Sequence, residues 1–194
     1  FGTDLTVAAP YLFMDSVGSV NYGDIVMVAN EDLKILYSTS DNANLDLTFQ
    51  LSNGANGWMG VCFHEFMFPA DCIVAWIEPQ TGQAMVWDAY NPGIPTLPFF
   101  PAPTQDNNPA LMVQGASPLD NQENVIITGS NTANDIITIN LQRKMQTGDI
   151  FDFQLAPDMQ FNIVWAYSSD KVFINEFNAI QPTHTAAGGS RWML

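Results

Sequence analysis

GWMGVCFHEFMFPAD, residues 57–71, decides how the rest of the chain is read. Residues 57–63 mix glycine with Trp58, Met59, Val61 and Phe63 and read as a half-buried strand able to pack on both faces. Pro69 has no amide proton, so Phe66, Met67, Phe68 and Pro69 end that ladder. Residues 72–77, CIVAWI, form the returning arm. The segment therefore predicts a β-hairpin with Met67 at its tip or mouth, where side chains serve ligands more often than cores. Cys62 and Cys72 lie five residues either side of Met67, one on each arm. They pair across the hairpin as a disulfide or stand as two separate buried thiols.

Outward from this hairpin the chain shows strand signals and almost no helical periodicity. Leu45, Leu47, Phe49 and Leu51 alternate with Asp46, Thr48 and Gln50, the pattern of a strand with one wet face. Short strands are expected at 24–30 and 33–38, and again at 84–90 after the Glu78 to Gly82 turn. Further strands are expected at 124–128, 135–142, 150–155, 161–167 and 172–177, with a closing strand at 191–194. About ten short strands at turn-marked spacing imply an all-β, two-sheet antiparallel sandwich. Residues 1–23 read as an N-terminal extension. Residues 91–118 carry seven prolines and few charges, and read as a long ordered loop draped over one domain spanning 1–194.

Composition narrows the function. The 194 residues are 47% hydrophobic, enough for one well-buried core and short for two domains. Twenty Asp and Glu oppose five Lys and Arg, a formal charge of −15 that repels a phosphate backbone and argues against nucleic acid as a partner. No apolar run reaches about 18 residues and no basic amphipathic stretch occurs, so membrane insertion is not expected. The chain starts at Phe1, which fits removal of a leader peptide, and the cysteine pair agrees with a secreted or cell-surface protein. The sequence contains no Asn-x-Ser/Thr glycosylation triplet. Two histidines and two cysteines supply no zinc or copper set, and neither a Gly-x-Ser-x-Gly nor a phosphate loop is present. No acid, base and nucleophile constellation is visible, so catalysis is not expected. The carboxylate-rich stretches 41–46 and 120–123 are calcium candidates or simply solvated faces.

Five motifs occur in one order: Gly57-Trp58-Met59-Gly60-Val61; Met67-Phe68-Pro69-Ala70-Asp71; Asp88-Ala89-Tyr90; Arg143 to Asp152, containing Thr147-Gly148-Asp149; and Trp165-Ala166-Tyr167. In that order they resemble the DOMON domain, a family that includes the cytochrome domain of cellobiose dehydrogenase and the N-terminal domain of dopamine β-monooxygenase. The resemblance covers roughly residues 24–194. It implies an immunoglobulin-like β-sandwich, usually extracellular, that binds haem b or a sugar.

Haem-binding members resemble one another in an axial Met just before the Ala-Asp pair and an axial His shortly before the last strand. Met67 and His184 occupy those places. Thioether and imidazole together leave iron no open position, which suits electron transfer with a redox partner protein over oxygen chemistry. His64, three residues from Met67, is too close in the chain to reach the opposite porphyrin face and is read as structural or as part of the haem edge. No Cys-x-x-Cys-His is present, so the haem would be held by ligation and packing. Phe63, Phe66, Phe68, Trp87, Tyr90, Phe99 and Phe100 are candidates to line the slot, each otherwise plain core, and Tyr90 or Arg191 could meet a propionate. Arg143 is expected to pair with a carboxylate such as Asp152 and hold the sandwich edge. The alternative function is a carbohydrate-binding or structural module, with Trp58, Trp76 or Trp87 stacking on sugar. Strand addition at a sheet edge would allow a homo-oligomer or surface assembly with either function.

Overall fold

A computed structural model of the chain describes residues 25–28, 32–39, 42–52, 57–65, 70–91, 104–105, 124–149, 152–169 and 185–194. These form eleven strands and no helix: β1 (Ile25–Val28), β2 (Leu33–Ser38), β3 (Asn44–Ser52), β4 (Trp58–Cys62), β5 (Ala70–Ile77), β6 (Ala84–Asn91), β7 (Thr104–Gln105), β8 (Val125–Ala133), β9 (Ile136–Lys144), β10 (Gln160–Ser168) and β11 (Ala186–Met193). One sheet has the order β1-β2-β3-β9-β8 and the other β11-β10-β4-β5-β6-β7, with every pairing antiparallel. The expected β-sandwich is present.

Alternation builds the core between the sheets. Leu47, Phe49 and Leu51 of β3 stand opposite Leu141, Ile139 and Ile137 of β9, Leu45 stands opposite Arg143, and all eight are buried. Across the gap they meet the inward rows of the second sheet: Met59, Val61, Ile73, Ala75, Phe161, Ile163 and Trp165. Period-two alternation assigns the remaining positions of that sheet to its outer face. There Trp58, Cys62, Val74, Trp76, Trp87, Ala89 and Ala166 make a second buried cluster, with Trp76 and Trp87 edge to face at 5.4 Å.

The focal hairpin is β4–β5. Cys62 stands directly opposite Cys72, and the two are joined by a disulfide, which selects between the alternatives left open by their spacing. The β8–β9 hairpin turns on Asn134 and Asp135, both at positive φ, the pattern of a two-residue type I′ turn. β8 runs five residues beyond the expected end at Thr128. Its distal residues are polar and exposed, so they carry no hydrophobic signal and are ordered by backbone pairing to β9. The short β7, inside the proline-rich segment, extends the sheet beyond β6 and was not legible in the sequence. The expected strand at 172–177 and the N-terminal extension lie outside the described residues.

Residues 152–155, expected as part of a strand, are not one. Leu155 N–H bonds the Met145 carbonyl, and the side-chain amide of Gln154 bonds the Thr147 hydroxyl and the carbonyls of Asp149 and Asp152. The alternation of Phe153 and Leu155 with polar neighbours imitates a strand, but Gly148 at φ 78° and the Gln154 amide close the segment into a compact loop.

Glycine spacing in β11 supplies a test of packing. A Cβ on Gly188 would lie 2.4 Å from the indole of Trp165, whereas one on Gly189 would meet nothing nearer than 3.4 Å. Gly188→Ala is expected to lower stability by about 1–3 kcal/mol through overpacking. Gly189→Ala should change it by less than about 0.5 kcal/mol. Urea unfolding of the two variants measures the difference.

Candidate functional site

Charged side chains occupy inward positions where alternation calls for apolar ones. On β9, Ile137, Ile139 and Leu141 are followed in phase by Arg143, which is fully buried. On the facing sheet Asp71 of β5 and Asp88 of β6 take the same inward phase and are also buried, at 4% and 0% exposure. Arg143 Nη2 donates to Asp71 Oδ2 at 2.6 Å, an ion pair that crosses the sandwich. The guanidinium also sits 4.9 Å over the ring of Phe63. Phe63 belongs to the inter-sheet core with Phe153 and Phe161, the plain-core alternative read for it from the sequence.

The loop after β9 completes the cluster. Thr147 Oγ1 accepts from the Asp149 N–H, and Gln154 Oε1 accepts from the Thr147 N–H. This folding brings Asp152 to 3.5 Å from Arg143 Nη2 and lets Phe153 N–H donate to Asp71 Oδ2 at 2.7 Å. Asn124, at the entry to β8, donates its N–H to Asp88 Oδ2 and its side-chain amide to Asp152 Oδ2. The expected Arg143–Asp152 contact is therefore real but secondary. Asp71 is the closer partner, and the pair lies in the core instead of at the sandwich edge, because inward phase on β9 places it between the sheets.

One guanidinium faces Asp71, Asp88 and Asp152, all buried. Desolvation disfavours the ionised carboxylates most strongly, and their mutual repulsion adds to it, while Arg143 opposes both. The Asp71 carboxyl is pushed up to about 7 and that of Asp88 to about 8. Burial also raises Asp152. Burial alone would lower the pKa of Arg143, but Asp71, Asp152 and Asp88 together outweigh it and hold the guanidinium charged.

The residues singled out from the sequence as a site are described only in part. Met67, Phe66, Phe68 and His184 fall outside the described residues, as do Phe99 and Phe100. Arg191 belongs to β11, opposite Asn162. Tyr90 is half-buried in β6, two residues from Asp88 and so on the same face. His64 is exposed at the end of β4, and Trp87 is part of the outer cluster. Asp46, in one of the calcium-candidate stretches, accepts from the Gln142 side chain, and residues 120–123 lie outside the described residues.

Asp71, Asp88, Arg143 and Asp152 come from three of the five motifs, and the structure gathers them into one cluster. The family model that matches this sequence, over residues 30–168, is the DOMON domain. The chain belongs to the DOMON family. Among solved structures the DOMON domain is similar to the cytochrome b domain of pyranose dehydrogenase from Coprinopsis cinerea, with TM-score 0.59 and 15% identity over 95% of this chain and 88% of that one. It is also similar to the cytochrome domain of Myriococcum thermophilum cellobiose dehydrogenase, with TM-score 0.54 and 11% identity over 95% and 86% of the two chains. Comparison with curated proteins finds no match.

The buried carboxyls make stability depend on pH in the sense opposite to an ordinary paired aspartate. Their folded pKa values lie above the ordinary aspartate value of 3.8, so between about pH 4 and pH 8 the folded DOMON domain holds protons that the unfolded chain has released. Their contribution is complete below about pH 4 and is lost as pH rises through 7 to 8. Urea midpoints in the presence of chelator should therefore fall from pH 5 to pH 8, and Asp88→Asn should flatten that slope.

Proposed function

We propose that this DOMON domain binds haem b through Met67 and His184 and serves as an electron carrier without catalysis of its own. The observation that carries the proposal is likeness of fold to two cytochrome domains over 95% of the chain. The donor set agrees, because a thioether and an imidazole fill both axial positions of an iron porphyrin, and bound haem b would supply one-electron chemistry. The outer face of the second sheet offers the apolar surface a macrocycle requires: Val74, Trp76, Trp87, Ala89, Val164 and Ala166.

The described flanks set a condition on that ligation. Asn162 donates its side-chain amide to Glu65, and Thr185 N–H bonds the Tyr167 carbonyl. At about 3.3 Å per residue, these anchor points lie roughly 17 Å apart along β10. Met67 and His184 can thus share one iron only if their segments close that distance. The Cys62–Cys72 bridge braces the hairpin that carries Met67 and fits an oxidising compartment, so we assign the protein to the outside of the cell or its surface. Arg191 suits a propionate by charge, and Tyr90, sharing a face with Asp88, suits it less. Trp58, Trp76 and Trp87, the tryptophans of the sugar-binding alternative, stand in this same outer cluster at 7%, 2% and 5% exposure, so either ligand would have to enter it.

A net charge of −15 favours encounter with a basic redox partner, an advantage that salt screens. Purified protein supplied with haem should show a Soret band and, on reduction with dithionite, low-spin α and β bands. His184→Ala should abolish the low-spin signature, and Met67→Leu should leave five-coordinate or water-ligated iron. Folded protein that takes up no haem would overturn the proposal.

A further inference from the structure

Four strands end the two sheets, β1 and β8 in one, β11 and β7 in the other. An edge strand offers unpaired N–H and C=O groups to any other strand, and proteins blunt such edges with short length, charge or proline. β1 and β7 are only four and two residues long, and β11 carries Arg191. β8 is different. Its nine residues, VIITGSNTA, include neither a charge nor a proline, and the uncharged run extends over 124–134.

Among the described residues β8 pairs with β9 alone. A bulge between Ile127 and Gly129 interrupts it once, and beyond that point Gly129 to Ala133 runs in unbroken register with Asn140 to Ile136. Ser130, Asn131, Thr132 and Ala133 are all exposed, so neither face of this stretch is covered. Two of the three exposed large hydrophobics among the described residues flank it, Ile126 before the bulge and Ile136 just past the turn. Both take the outward phase, since Ile137 and Leu141 are the buried residues of β9 beside them.

A second copy of the chain is the occupant that fits this edge. A charge of −15 makes two copies repel over most of their surface, so they approach closely only where both are uncharged. We propose that β8 is a homodimer edge, pairing antiparallel with β8 of a second copy about a two-fold axis near Asn131 and joining two five-stranded sheets into one. That axis sets Gly129 opposite Ala133 of the other copy. It also brings Ile126 of each copy beside the 134–135 turn of the other, next to Ile136, so the exposed isoleucines cover one another reciprocally. Pairing uses the edge of both copies, so association closes at two. With so short a paired stretch the contact falls in the weak size class, with Kd on the order of 10 μM. The pairing is independent of haem.

Sedimentation equilibrium of the full chain from about 1 to about 300 μM tests it. The mass should rise from 21.4 kDa toward twice that value, and added salt should tighten the dimer by screening acidic repulsion. Asn131→Lys lowers the net negative charge yet should return the protein to monomer, because it sets two ammonium groups opposite each other. Gln80→Lys makes the same charge change at the exposed β5–β6 turn and should dimerise like the wild type. Cys62 and Cys72 are bridged to each other, so Ser130→Cys, Asn131→Cys or Thr132→Cys adds a single free thiol, and at least one of the three should cross-link two copies under mild oxidation. A monomer throughout the concentration range overturns the proposal. A dimer that Asn131→Lys leaves as tight as the wild type, or that none of the three cysteines cross-links, overturns it equally.

Discussion

The ion pair between Arg143 and Asp71 is the constraint on which the rest of this sandwich depends. It joins β9 of one sheet to β5 of the other through a 2.6 Å contact between two buried side chains. Removing such charges from water costs several kcal/mol per ion, and attraction offsets this only when geometry is good and further donors are present. Here the further donor is the backbone N–H of Phe153, so the loop after β9 must fold for the pair to be tolerated, while Asn124 at the entry to β8 donates to the neighbouring Asp88 and Asp152. The pair is thus a device for specifying which strands face each other, more than a simple source of stability.

The same strand carries the cluster and the proposed cofactor segment. On β5, Asp71 points inward to Arg143 while its neighbours Ala70 and Cys72 point to the outer face. Cys72 is bridged to Cys62, and Met67 lies in the connection that the bridge closes. Positions a single residue apart therefore serve the inter-sheet clamp and the disulfide that closes the β4–β5 connection. A one-residue register slip would exchange their faces and destroy both at once.

Local pattern made much of the fold legible. The alternation in Leu45 to Leu51 and Ile137 to Leu141 located β3 and β9, and the spacing of Cys62 and Cys72 about Met67 located the hairpin and made its bridge available. Arg143 continues the inward phase of β9, so its burial was readable, but its main partner was not. Asp71 is 72 residues away in the chain, and alternation says which face a side chain takes without saying what it meets there. Residues 152–155 misled for the converse reason, since their apolar alternation is strand-like while the contacts that bend them come from Gln154 and Thr147. The polar arm of β8 was invisible because backbone pairing, which needs no side-chain signal, orders it. The family motifs pointed to haem ligands, yet the described motif residues that come together are Asp71, Asp88, Arg143 and Asp152.

A double-mutant cycle on Arg143→Leu and Asp71→Asn, read by urea unfolding at pH 7, tests the central role of this pair most directly. Arg143→Leu alone should cost about 3–5 kcal/mol, because it leaves buried carboxylates without their cation. Adding Asp71→Asn should recover part of that loss, with a coupling energy of at least about 1.5 kcal/mol. A single-variant cost below about 1 kcal/mol, or strictly additive effects, would contradict the account and show that apolar packing alone sets how the two sheets face each other.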